Sequence, residues 1–190
     1  MEHLVLICIG IGLSAASGFR LFVPLLVLGI AQRYDVVTLG ENFQWIGSAP
    51  ALLVFTVALV AEVAAYYIPW LDNLLDSIAT PAAVVAGTLI TFALVPDFSP
   101  LVQWSLALIA GGGVAGSVQA GSVAARGSSA AATGGLGNPV VSTAELAGSV
   151  SLSLLSLAVP LVAGVLVIIL FFFLFRVSRR FFGRRQPNAA

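Results

Sequence analysis

Charge is what this 190-residue chain has least of. Charged residues make up 8% of it, against about 25% in an ordinary soluble domain, which is too few to coat an aqueous sphere of this size. Lysine is absent, and all eight basic residues are arginine. Cys8 is the single cysteine, which excludes an intrachain disulfide and a thiolate metal cluster. His3 is the single histidine and stands beside the N-terminus, so a histidine-based site is excluded in practice. The chain also lacks a Gly-x-Ser-x-Gly elbow, a Walker loop and a His-Glu-x-x-His motif. These absences lead us to expect a protein that is not an enzyme, needs no cofactor and does not bind nucleic acid. Whether it holds a metal is left open. A carboxylate-based enzyme acting on lipid is the last-ranked alternative, since two acids can share acid and base work.

What the chain does have is apolar surface: 59% of residues are hydrophobic and the mean hydropathy is +1.08. Such side chains must face lipid or one another. In hydrocarbon, only helices or a closed barrel satisfy the backbone. Leu101 to Ala125 carries no charge and Leu161 to Phe175 is continuously apolar, without the alternation of a barrel strand. The expected fold is therefore all-α, a polytopic membrane helix bundle over residues 1–175 with a basic tail over 176–190. The first apolar segment lacks a basic leader region and outruns a signal-peptide core, so we read it as a retained membrane helix.

Proline, glycine and polar clusters divide the chain. Segment one runs from Leu4 to Ala31, with a kink or close contact expected near Arg20. Segment two runs from Ser48-Ala-Pro50 to Pro69, and Asp72, Asn73 and Asp76 mark a polar connection. Thr80-Pro81 opens segment three, which ends at Pro96 to Pro100. Segment four is Leu101 to Ala125, and Arg126 begins a Gly-, Ser- and Ala-rich stretch to Pro139, the longest expected loop. The apolar run from Pro139 to Phe175 exceeds one crossing of about 20 residues, and Pro160 divides it into segments five and six.

Six crossings, with five as the alternative, put both termini on one side. Arg176, Arg179, Arg180, Arg184 and Arg185 mark that side as cytoplasmic and offer contacts to anionic headgroups of the bilayer. A bacterial cytoplasmic membrane is the expected location, and the small, Gly-lined bundle is expected to be able to form a homo-oligomer. A weak internal echo links Arg20, Ala61-Glu62 and Pro81 to Arg126, Ala144-Glu145 and Pro160. Two inverted three-helix repeats, 1–97 and 98–175, would place a pathway between them.

A charge at the centre of a membrane helix costs about 2.5–3.5 kcal/mol on insertion scales, so it needs a partner or a watery cavity. Arg20, Glu62 and Glu145 are the residues in that position. They are expected to form an ion- or substrate-binding site, with the carboxylates holding a cation or protons and Arg20 balancing them. The bland alternative is a structural ion pair or an interfacial position. Asp72 and Asp76, four apart, are candidates for a cation-attracting entrance, although a solvated face suits them better. Ser14 and Ser17, with Ser117 and Ser122, can line a polar passage or simply pack helices. Asn138 fits a helix cap better than an anion-facing helix start.

The stretch Gly12-Leu-Ser-Ala-Ala-Ser-Gly-Phe-Arg-Leu-Phe-Val-Pro24, the region from Glu62 to Asp76 with Ile68-Pro69, and Gly134-Gly-Leu-Gly-Asn-Pro-Val-Val-Ser142 followed by Glu145 resemble a bacterial membrane family. It is the one catalogued as domain of unknown function 4126, and the label implies no activity. The resemblance implies an Asp-Lys pair ahead of Ile-Pro, where this chain has Tyr66-Tyr67 and so lacks those charges. In layout alone the chain is similar to the lysine-exporter superfamily, with its paired three-helix halves. A small membrane transporter or channel is the expected function. A non-catalytic scaffold binding partner helices is the alternative.

Overall fold

The computed structural model describes the backbone of residues 1–182 and the side chains within it, except those of residues 69–74, 175 and 177–182. The described chain is helical, with no strand: α1 (Glu2–Ser17), α2 (Phe22–Arg33), a 3-10 helix (Glu41–Gly47), α3 (Ala49–Ala65) and α4 (Pro69–Leu94). Then come α5 (Pro100–Leu106), a π-helical turn (Ala107–Gly112), α6 (Gly113–Thr133), α7 (Asn138–Ala158) and α8 (Pro160–Phe182).

Among the described residues, three helices are long and apolar enough to cross a membrane: Leu75–Leu94, Pro100–Thr133 and Asn138–Ala158. A fourth is added if the 3-10 helix and α3, bent by 63°, form one span. Helix length and composition therefore do not by themselves yield six crossings or two inverted repeats. The reason lies in α1 and α2, at 16 and 12 residues, and in the described apolar part of α8, Pro160–Leu174, which each fall short of the about 20 residues that one crossing takes.

The kink expected in segment one is a full break. Gly18 sits where an added Cβ would lie 2.5 Å from the Ala115 carbonyl oxygen and 2.6 Å from Val118 Cβ, so only glycine lets the chain turn against α6 here. Beyond the break, Pro24 falls in the first turn of α2, where a missing N–H costs little.

Two expected boundaries are corrected. Pro81 does not open a helix: α4 starts at Pro69 and passes through Pro81, with Thr80 Oγ1 donating to the Asp76 carbonyl at 3.2 Å in the turn before it. Nor do residues 126–137 form the longest loop. Alanine favours helix, Ser128 and Thr133 satisfy their hydroxyls on carbonyls four residues back, and Arg126 is anchored in the interior, so α6 continues to Thr133. Only residues 134–137 turn the chain, through Gly134 and Gly135 at φ 62° and 92°.

Polar and small contacts hold α1 at the centre of the bundle. Ser14 Oγ donates to the Gly87 carbonyl of α4 at 2.8 Å, and Ser149 Oγ of α7 donates to the Ala16 carbonyl at 2.9 Å. An apolar core of Ile9, Leu13, Leu28, Ile90 and Leu94 fills the end formed by α1, α2 and α4. Leu53, Val54, Val57 and Val60 of α3, and Ile168, Ile169 and Phe172 of α8, are exposed, as suits faces that meet lipid.

Candidate functional site: a buried charge cluster at the helix break

Arg20 lies in the break between α1 and α2 and is 1% exposed. Its Nη2 donates to the Ser142 carbonyl of α7 at 2.8 Å and to the Ser142 hydroxyl, and lies 3.5 Å from Glu145 Oε2. Arg126 of α6 is 2% exposed. Its Nη1 lies 3.4 Å from the same Glu145 oxygen, and its Nη2 lies 2.6 Å from Asp76 Oδ1 of α4. Ser122 donates to Glu145 Oε1. Both guanidinium groups rest against the Tyr66 ring just beyond α3, at 4.0 and 4.4 Å from its centroid, and cation–π attraction supplements the ion pairs.

Glu62 of α3 reaches the same region but does different work. Its Oε1 accepts from the Leu21 amide at 2.9 Å and its Oε2 from the Phe22 amide at 3.2 Å. It thus caps α2 from a neighbouring helix, because α2 has no side-chain cap of its own. A carboxylate is favourable there, since the first amides of a helix are unsatisfied and its N-terminus carries positive partial charge. With Glu62 set against that helix end, two arginines face two carboxylates, Glu145 and Asp76.

The charges that stood out in the apolar sequence, Arg20, Glu62 and Glu145, are thus brought together. Asp76 joins them: its side chain is 14% exposed and paired with Arg126, so a solvated face does not describe it. The side chain of Asp72 lies outside the described residues. Ser14 and Ser17 are buried but stand apart from the cluster, bonded to Gly87, Thr91 and each other's turn, and they pack α1 on α4. Asn138 is not the cap of α7: Gly137 holds that position, and Asn138 opens the helix.

In the sequence Arg126 reads as the start of a loop, and Tyr66 only as a position that lacks the charge the family resemblance implies. The internal echo that set Arg126 beside Arg20 was the signal that could have placed it. A cleft of ≈ 320 Å³ adjoins the cluster, lined by Asp76, Ser77, Val123, Arg126, Gly127, Ala130 and Asn138. Among the described residues no group of three His, Cys, Asp or Glu side chains could hold a metal ion. Arg176 is exposed at the far end of α8, while the side chains of Arg179, Arg180, Arg184 and Arg185 lie outside the described residues.

Apolar helices of membrane-spanning length around a paired, buried set of charges define the class: an all-helical protein built like a membrane protein, with a polar centre. Residues 7–180 match the model of the family described as Domain of unknown function (DUF4126), and the chain belongs to that family. No curated protein and no solved structure matches it.

Proposed function

We propose that this chain is a small, non-enzymatic membrane transporter or channel for an ion or small solute, with the Arg20–Glu145–Arg126 cluster on its pathway. One observation carries the proposal. Four ionised side chains, on α4, α6, α7 and the α1–α2 break, meet in an interior whose other fully buried side chains, among the described residues, are uncharged, and a cleft opens beside them. Buried ionic groups are a poor route to stability, because well-packed apolar residues do as well or better. Ionisable groups inside membrane helices therefore point to a solute path. A helix broken midway is also a feature of secondary transporters, where the new N-terminus faces an anionic group of the substrate; here Glu62 of the chain itself stands at that end.

In this proposal the chain lies in a bacterial cytoplasmic membrane. It crosses six times, with α1 and α2 as one broken crossing, both termini are cytoplasmic, and the arginine tail rests on anionic headgroups. The test is flux in liposomes containing the purified chain, with a panel of ions and small solutes. Transport by the wild type, and its loss in Glu145→Gln, is the expected result. Unchanged rates in both Glu145→Gln and Glu62→Gln would remove these carboxylates from the pathway.

The alternative, a scaffold that binds partner helices, is favoured by one observation: Gly127 of α6 and Gly148 of α7 have nothing within 4 Å of an added Cβ, so small-residue positions on these helices are left open to a close-packing neighbour. Co-purification of a stoichiometric membrane partner, with no flux across the panel, would support it.

A further inference from the structure

The cleft beside Arg126 has a chemical sign. Its polar lining consists of Asp76, Ser77, Arg126 and Asn138. Asn138 is the first residue of the 21-residue helix α7, so the positive end of that helix stands at the cleft. Behind Arg126, against the same Tyr66 ring, lies the second guanidinium. Arg20 Nε and Nη1 are buried and, among the described residues, have no hydrogen-bond partner. Arginine offers five donors in a planar fork, and Arg20 spends only Nη2 on Ser142 and Glu145.

The carboxylates are differently placed. Both Glu62 oxygens accept backbone amides, and Glu145 receives Ser122 on one oxygen and two guanidinium groups near the other. A cation at either would stand against donors already in place and within a few ångströms of two positive charges. Asp76 alone lies on the cleft side, with 14% of its side chain exposed.

We propose that the cleft binds a small oxyanion, a carboxylate or phosphate group, which takes the place of Asp76 on the Arg126 guanidinium. The exchange is neutral within the interior. One negative charge replaces another beside Arg126, and the released Asp76 carboxylate turns to the open side of the cleft. Arg126 keeps Glu145 behind it, and bidentate contact with carboxylate or phosphate is what a guanidinium fork recognises best. A volume of ≈ 320 Å³ sits at the small end of ligand sites, which start near about 300 Å³. This inference rests on the transport proposal and gives it a substrate class.

The test uses the full chain in uncharged detergent, with inorganic phosphate and acetate as probes and chloride as control at matched ionic strength. A ligand of the folded state raises the melting midpoint saturably. Asp76→Asn removes the internal competitor and should bind phosphate about tenfold more tightly than wild type, regaining in phosphate the stability it loses without it. Arg126→Gln should lose the response. If that variant does not fold, the wild-type and Asp76→Asn titrations decide alone.

Midpoints that ignore both anions in wild type and Asp76→Asn, together with no response to phosphatidylglycerol in mixed micelles, would overturn the proposal. So would saturable stabilisation by sodium, potassium or magnesium chloride in place of the anions, an outcome that leaves a cation-transport reading standing. Anion binding without flux in liposomes supports the site and removes the transport proposal instead. A parallel titration with phosphatidylglycerol in mixed micelles separates the sources: a response there and none to inorganic phosphate assigns the oxyanion to a lipid headgroup.

Discussion

Glu145 and Glu62 are alike in composition and nearly alike in setting, yet one oxygen of Glu145 faces two guanidinium groups while both oxygens of Glu62 face backbone amides. Removing one partner of a buried ion pair costs about 3–5 kcal/mol, because it strands the other charge. A hydrogen bond to a charged group is worth about 1.5–3 kcal/mol. Glu145→Gln is therefore expected to destabilise the chain more than Glu62→Gln, and denaturant unfolding in mixed micelles gives the ranking directly. The reverse order would mean that the cap at the helix break matters more than the shared charge. Arg20, Glu62 and Glu145 were legible in sequence because an ionised residue inside an apolar run is itself a signal. Arg126 was not, since its Gly, Ser and Ala neighbours read equally well as linker or as close-packed helix, and only tertiary ion pairing selects the helix. The pairing of Glu62 with amides rather than with Arg20 was likewise invisible, because a cap supplied by a distant helix leaves no local pattern.

At the scale of elements, the close approach of α4 to the π-helical turn depends on glycine. A Cβ on Gly87 would lie 2.6 Å from Ala115 Cβ and 2.8 Å from the Gly111 carbonyl oxygen, which is backbone and cannot turn aside. Gly87→Val should therefore part the two helices and cost about 1–3 kcal/mol or more, seen as a lower unfolding midpoint. Gly148, in mid-α7, has nothing within 4 Å of an added Cβ. Gly148→Ala should leave the midpoint unchanged or raise it by up to about 1 kcal/mol in stability, so the pair separates packing from propensity. Proline located the ends of α4 and α7 and the start of α8, because each lies beside a real chain break. It misled at Pro81, where packing of the surrounding turns holds one helix through it.

For the whole molecule, composition and patterning together pointed to the class: too little charge for water, and no alternation for a barrel. The number of crossings was less accessible. A chain broken at Gly18 to Leu21 gives two short helices, and their joint length, not either one, decides whether they count as a crossing. Six crossings with cytoplasmic ends predict that single cysteines, Glu2→Cys and Ala190→Cys on a Cys8→Ser background, resist an impermeant maleimide in intact cells and react in inverted vesicles. Labelling of the two ends from opposite sides would require an odd number of crossings.

The hold of Glu62 on the head of α2 has one more consequence, for how this protein can vary. The bonds run to main-chain amides, so the identities of Leu21 and Phe22 do not enter into them. Those two positions are free to drift among residues of suitable size, while position 62 is not. The exception is proline, which has no amide to give. Placed at 21 or 22, it would remove one of the two bonds that tether α3 to α2 while leaving the acid itself untouched.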